Sequence, residues 1–197
     1  MNRVDGRLTA DLDPFDHGPQ DECGVIGIYA PGEDVSKLVY FGMYALQHRG
    51  QESAGMAVSD GRRTMVFKDM GLVSQVFDEA TLNSLAGHLA IGHTRYSTTG
   101  SSVWDNAQPT FRSMPDGGGL ALAHNGNLTN AAELEQLIAQ RNPEGTVPHK
   151  ERMDSSNDTS LVTALMATYD GSVEQVAAQV LPRLRGAFSR VLMDDNT

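Results

Sequence analysis

Cys23-Gly-Val-Ile-Gly-Ile-Tyr-Ala30 is the stretch of this sequence that decides the fold. It is an apolar run of strand length, rich in β-branched residues. Residues 1–22, in contrast, contain six acidic residues and two arginines, with few large apolar side chains. Such a segment cannot bury enough surface to order itself. We therefore expect an acidic leader over 1–22 and a fold that begins at Cys23.

The rest of the chain predicts short strands early and helices mainly in the second half. Strands are predicted over 54–59 and 62–68 around an Asp60-Gly61 turn, and over 88–94, 120–124 and 186–193. Helices are predicted after Asp34, after an Asn130 N-cap, near Asp158, and after Ser172 in a capping box. This order is not a strict βαβ alternation, so the sequence predicts an α+β fold with mainly antiparallel sheets. Turn residues follow the last strand without a partner strand, which predicts a C-terminally incomplete domain.

Composition excludes several classes of function. The net charge is −10, from 25 acidic and 15 basic residues, and no basic block is present, so nucleic acid is not an expected partner. No apolar run approaches the length that spans a membrane, and no secretory signal is visible, so we expect no membrane partner and a cytoplasmic protein. The single cysteine rules out intramolecular disulfides and thiolate zinc sites.

Cys23 could be a small buried hydrophobe, the common fate of a lone cysteine. Removal of residues 1–22 would change its chemistry, because the thiol and a free α-amine would then share one residue. An α-amine has an ordinary pKa of roughly 7.7–8.0 and can act as the base that takes the thiol proton. The neighbouring motifs decide between these interpretations.

Four segments carry a family resemblance: Glu22-Cys-Gly-Val-Ile-Gly-Ile28, Gln47-His-Arg-Gly-Gln-Glu-Ser-Ala-Gly55, Gly92-His-Thr-Arg-Tyr-Ser-Thr-Thr-Gly100 and His124-Asn-Gly-Asn-Leu128. Together they resemble the glutaminase domain of the amidophosphoribosyltransferase family, within the N-terminal-nucleophile glutamine amidotransferases. The resemblance implies a four-layer αββα sandwich over 23–197 and an acidic propeptide over 1–22. It also implies glycosyltransferase activity in purine biosynthesis, in which L-glutamine supplies ammonia.

The resemblance assigns the catalytic residues by their position in these segments. Cys23 matches the nucleophile that forms a glutamyl thioester. Asn125 and Gly126 match the oxyanion hole, through a side-chain amide and a backbone N–H, although Asn-Gly is also a common hairpin turn. His93 and His124 adjoin the segments, and a histidine base is the alternative to the α-amine.

Substrate-binding residues follow from the same resemblance. Arg95 matches the clamp on the α-carboxylate of glutamine, supported by Thr98. Asp158 would receive the substrate ammonium group or simply cap a helix, and Ser160 stands where many relatives carry an acid. Arg49 could contact substrate or form a structural salt bridge. No metal site is predicted.

The family also has parts that this sequence lacks. Its members carry a C-terminal phosphoribosyltransferase domain that binds phosphoribosyl pyrophosphate and magnesium, and many hold an iron–sulfur cluster. A homo-oligomer is expected for the full-length protein. Two alternatives stay open: the glutaminase domain of glucosamine-6-phosphate synthase, and a catalytically silent fragment. The tyrosine that follows Arg95 and the acidic leader favour the amidophosphoribosyltransferase family over the synthase.

Overall fold

The computed structural model describes residues 23–96, 103–115, 117–142 and 158–195. The predicted leader over 1–22 and the predicted site residue Thr98 lie outside the described residues. Within these ranges the chain forms two antiparallel sheets and two groups of helices.

The first sheet contains four strands in the order β1-β4-β2-β3. Their bounds are β1 Gly24–Tyr29, β2 Ser53–Ser59, β3 Thr64–Met70 and β4 Leu89–Arg95. The predicted hairpin at Asp60-Gly61 is confirmed as the β2–β3 connection. Its turn is held by the Asp60 carboxylate, which accepts the backbone N–H groups of Arg62 and Arg63 at 2.9 and 3.1 Å.

The second sheet has the order β5-β6-β7. Its strands are β5 Thr110–Ser113, β6 Gly119–Leu128 and β7 Gly186–Asp194. Strand β6 is longer than predicted, because β7 pairs with it from Leu120 to Leu128. Asn125 and Gly126 therefore lie inside a strand, opposite Ser189 and Phe188, and the hairpin-turn alternative for these two residues is wrong.

Six α-helices accompany the sheets in the described part of the chain. They are α1 Ser36–Ala45, α2 Val73–Val76, α3 Glu79–Ser84, α4 Ala131–Arg141, α5 Asp158–Met166 and α6 Val173–Val180. Short 3-10 helices span Gln47–Arg49, Trp104–Asn106 and Leu181–Arg183. The predicted capping box of Ser172 and Gln175 is confirmed at α6. The predicted N-cap position of Asn130 is confirmed at α4, but its side chain bonds the backbone of Arg183 and Arg185 and does not cap the helix.

Three buried hydrophobic clusters hold the layers of the fold together. Val39 and Met43 of α1 pack with Met56 on one face of the first sheet. Small and branched side chains, including Ile91 and Ala123, fill the space between the two sheets. A third cluster lies between the second sheet and helices α4 to α6. The described helices thus cover the outer faces of two sheets that pack on each other, and the predicted α+β class with antiparallel sheets is confirmed.

Candidate functional site

Cys23 lies where β1 begins and β4 ends. The antiparallel register pairs Gly24 with Thr94, so the residue before β1 comes opposite the end of β4. The Cys23 thiol donates to the carbonyl of Tyr96 at 3.2 Å, and the Tyr96 N–H donates to the sulfur at 3.4 Å. Two backbone contacts therefore hold the only thiol of the chain in place.

The environment of Cys23 favours the neutral thiol. Burial raises the pKa of Cys23, while the Tyr96 backbone and the charge of Arg95 act in the opposite direction without cancelling it. At neutral pH the thiol therefore keeps its proton. It can become a nucleophile only if a base removes that proton as the reaction begins.

Asn125 links the second sheet to Cys23. Its side-chain Nδ2 donates to the backbone carbonyl of Cys23 at 2.6 Å, although 102 positions separate the two residues in sequence. An amide nitrogen carries two hydrogens, so this contact occupies one donor. The second N–H of the Asn125 amide is on the same nitrogen and therefore also lies beside Cys23.

Gly126 has a backbone that only glycine adopts readily. Its φ is +129°, and a Cβ atom would lie 2.1 Å from the carbonyl oxygen of Ala187 and 2.7 Å from the Cα of Phe188. Both of those atoms are backbone of β7, so no side chain can move aside. The position beside Asn125 is therefore shaped by close approach of two strands.

Arg95 is buried and paired with Glu52. Its Nη1 lies 3.2 Å from Glu52 Oε2, and only 6% of the arginine side chain is exposed. The loop that carries Glu52 approaches β4 very closely at Gly50, where a Cβ would lie 2.5 Å from the carbonyl carbon of Thr94. A carboxylate ligand of Arg95 would have to share the guanidinium with Glu52.

The two remaining predicted site residues in the described ranges, Arg49 and Asp158, form no hydrogen bond with Cys23. Arg49 ends a 3-10 helix and is half-buried, and it forms no ion pair with another described residue, so its salt-bridge alternative finds no partner there. Asp158 opens α5, and its Oδ2 accepts the N–H of Leu128 at 2.6 Å. This places the carboxylate beside β6, three residues beyond Asn125.

His93 and His124 are both buried, and neither ring bonds Cys23. His93 Nε2 lies 3.2 Å from the carbonyl oxygen of His124, and His124 Nδ1 lies 3.4 Å from the hydroxyl of Thr159. The other ring nitrogen of each histidine has no hydrogen-bond partner. The geometry therefore gives no support to a histidine base at Cys23.

The two histidines make stability depend on acid. Burial lowers the pKa of His93 to about 3 and, together with the charge of Arg190, lowers the pKa of His124 to about 4, from an ordinary value of 6.5. The unfolded chain therefore takes up protons below pH 6.5 while the folded chain does not. The contribution of each histidine to the free energy of unfolding is fully present above pH 6.5. It falls as the pH drops toward 4, by up to about 1.4 kcal/mol per pH unit for each histidine.

Denaturant unfolding at pH 4, 5, 6 and 7 checks this for the chain and for His93→Met. We expect the parent to lose about 1.4 kcal/mol more per pH unit than the variant between pH 6 and pH 4. Carboxylates contribute equally to both proteins, so the difference isolates one histidine. Parallel curves would contradict the expected burial of a neutral His93.

Sequence reasoning missed two residues of the site. Glu52, the partner of Arg95, lies inside the quoted Gln47–Gly55 segment, so that segment contained a signal for it. Gln108 is 4% exposed, and its side chain accepts the N–H of His124 at 2.7 Å. No local pattern marked Gln108, because its contact depends on how two distant segments pack.

In the described ranges, no group of three or more His, Cys, Asp or Glu side chains is arranged to hold a metal ion. None of the helices in these ranges has the length and apolar character needed to cross a membrane.

Comparison of the chain with known proteins identifies its family. A family model described as a glutamine amidotransferase domain matches residues 93–197, more than half of the chain. The chain belongs to this glutamine amidotransferase family.

The relatives in sequence narrow the class further. The amidophosphoribosyltransferase of Mycobacterium leprae is 54% identical over 181 residues, covering 91% of this chain and 32% of the relative. That of Synechococcus elongatus is 49% identical over 195 residues, covering 92% of this chain and 37% of the relative. The chain is thus homologous to amidophosphoribosyltransferases and spans about a third of their length, which confirms the resemblance carried by the four segments.

A solved structure has a similar fold. The glutamine phosphoribosylpyrophosphate amidotransferase of B. subtilis, complexed with ADP and GMP, superposes with a TM-score of 0.72 and 34% identity. The match covers 87% of this chain and 35% of that one.

Proposed function

We propose that this chain is the glutamine-hydrolysing domain of an amidophosphoribosyltransferase and that Cys23 is its nucleophile. The observation that carries the proposal is the 2.6 Å hydrogen bond from the Asn125 amide to the backbone carbonyl of Cys23. It brings two motif segments from different sheets together, so that the Asn125 amide lies beside the residue that carries the thiol. A nucleophilic thiol with hydrogen-bond donors for an oxyanion is the arrangement that acyl transfer requires.

The reaction begins after residues 1–22 are removed. The α-amine of Cys23 takes the thiol proton, and the thiolate attacks the carboxamide carbon of glutamine. The carbon–nitrogen bond then breaks, the ammonium group of Cys23 returns the proton to the leaving nitrogen, and ammonia departs from a glutamyl thioester. Water attacks the thioester, releases glutamate and restores the thiol. The raised pKa of Cys23 suits this sequence, because the thiol stays protonated until its own amine acts.

Asn125 and Gly126 stabilise the negative oxygen of the tetrahedral intermediate. The Asn125 amide uses one N–H on the Cys23 carbonyl, and its second N–H is the donor for the oxyanion. Gly126 adds its backbone N–H. Donors fixed in place before the reaction stabilise developing charge without reorganising, and this stabilisation usually accelerates acyl transfer more than any other single effect.

Four residues orient the rest of the glutamine molecule. Arg95 binds the α-carboxylate and shares its guanidinium with Glu52, with Thr98 as a further donor. Asp158 accepts the α-ammonium group from its place beside Leu128, and Arg49 contacts the substrate from the loop before β2.

In the whole protein the ammonia would reach a phosphoribosyltransferase domain. There it would displace pyrophosphate from phosphoribosyl pyrophosphate and form phosphoribosylamine, the first step of purine synthesis. Magnesium, an iron–sulfur cluster and assembly into a homo-oligomer in the cytoplasm belong to that larger protein. The two stacked sheets with helices outside support an N-terminal-nucleophile hydrolase fold for the portion described.

Two forms of the chain test the proposal. One carries residues 1–22, and the other begins with Met followed by Cys23, from which the initiator Met is removed. We expect the second form to hydrolyse glutamine and to react at Cys23 with a diazo ketone analogue of glutamine, as measured by ammonia release and intact mass. The first should do so only after the Glu22–Cys23 bond is cut. An exposed N-terminal Cys23 that neither reacts nor releases ammonia would favour the catalytically silent alternative.

A further inference from the structure

Strand β6 loses its neighbour on one side just before the candidate oxyanion residues. Strand β5 pairs with β6 only as far as Leu122, opposite Thr110. Beyond that point, the backbone groups of His124 that face the β5 side have no strand to bond. Buried backbone groups must find other partners, since an unsatisfied one is costly.

Two side chains replace the missing strand at His124. The Oε1 atom of Gln108 accepts the His124 N–H at 2.7 Å, and His93 Nε2 lies 3.2 Å from the His124 carbonyl oxygen. Gln108 comes from the segment before β5, and His93 comes from β4 of the other sheet. Both are buried, His93 completely. The backbone of one residue is thus held by two elements at once.

The hydrogen on His93 can be assigned from its partner. A carbonyl oxygen only accepts, so Nε2 of His93 must carry the hydrogen and donate it. The ring then has its lone pair on Nδ1, which is buried without a partner. His93 is therefore a neutral donor fixed within β4, a strand that is paired with β1 on one side and β2 on the other.

The residue that follows His124 contacts Cys23. Asn125 donates its side-chain amide to the Cys23 carbonyl, and its backbone lies opposite Ser189. Backbone groups of alternate residues in a strand face the same side. The Gly126 N–H therefore faces the side that β5 leaves open, as the His124 N–H does. Because Asn125 and Gly126 follow directly in the chain, a rotation of the His124 peptide units would change the direction of both donors.

We propose that His93 and Gln108 are positioning residues for glutamine hydrolysis. They hold the backbone of His124 from both its donor and its acceptor and so aim the Asn125 amide and the Gly126 N–H at the reacting carbonyl of the substrate. The proposal rests on the function proposed above. It gives His93 a role without proton transfer and Gln108 a role without substrate contact.

Four variants of the form that begins at Cys23 test this. His93→Met and Gln108→Met remove the donor and the acceptor, whereas His93→Gln keeps an N–H donor at a similar distance from the backbone. Thr110→Val is the matched control. Its hydroxyl also bonds a β6 carbonyl, that of Leu122 at 3.2 Å, two residues before His124.

Steady-state hydrolysis of glutamine separates positioning from general damage. We expect kcat to fall about 10- to 100-fold in the two Met variants, with KM within about threefold of the parent, because a small displacement of catalytic donors costs rate more than binding. His93→Gln should recover most of kcat, and Thr110→Val should keep it. Met variants no slower than Thr110→Val would overturn the proposal.

Amide hydrogen exchange gives a readout that does not need activity. Exchange at His124 should speed up about three- to tenfold in His93→Met and Gln108→Met, but not in Thr110→Val. A parent chain that never hydrolyses glutamine would refute the proposed function, and exchange would then decide this inference alone. Unchanged exchange at His124 in both Met variants would overturn it.

Discussion

Replacement of Cys23 by alanine is expected to lower glutamine hydrolysis by about 10⁴-fold or more. Alanine has no atom that can form the thioester, and no other thiol exists in the chain. Ammonia release from the processed chain measures the loss. Binding of glutamine should persist, because the residues proposed to bind it, Arg95 and Asp158, are unchanged, so an isothermal titration should still detect the substrate.

Cys23→Ser is the matched control for this prediction. Serine keeps a donor and acceptor for the Tyr96 backbone, and it keeps the α-amine, but its hydroxyl is a far weaker nucleophile than a thiol. We expect thermal stability equal to the parent and a rate close to that of Cys23→Ala. A Cys23→Ala variant that kept a tenth of the parent rate would show that the thiol is not the nucleophile, and that another group performs the attack.

The elements that sequence predicted well are those whose causes are local. The Asp60-Gly61 hairpin is set by one carboxylate and its own turn, and the α6 start is set by the Ser172 capping box. Helices α2 and α3 span only four and six residues, which is too short for a helical period to show. Strand β6 extends past its apolar run because β7 pairs with it there, and that pairing is not encoded nearby in the sequence.

The site divides in the same way. Cys23, Asn125 and Arg95 were predicted because each stands in a motif segment. The partnership of Arg95 with Glu52, and that of His124 with Gln108, required the packing of segments that lie 43 and 16 residues apart. Asn130 shows the opposite error, because its cap position was right while its side chain bonds the distant Arg183. Polar side chains with a choice of partners are decided by tertiary structure.

Gly126→Ala is expected to be a severely damaging single-methyl change, because it combines a positive φ with a clash against backbone. Alanine at φ +129° is strained, and its Cβ would press on the backbone of Ala187 and Phe188. The two effects together should lower the free energy of unfolding by about 2–5 kcal/mol. Relief requires β6 and β7 to separate locally, which would displace the Gly126 N–H, the donor proposed above for the oxyanion. We therefore expect glutamine hydrolysis to fall about 100-fold in the fraction that stays folded.

Gly32→Ala separates the two causes. Gly32 also has a positive φ, +89°, but nothing lies within 4 Å of its would-be Cβ. This variant should lose only about 1 kcal/mol, from backbone strain alone, and keep its rate. Chemical denaturation of both variants and hydrolysis by their folded fractions make the comparison. If Gly126→Ala lost no more stability than Gly32→Ala, the two strands would have room at this point, and the close approach of β7 could not be what fixes the proposed second oxyanion donor.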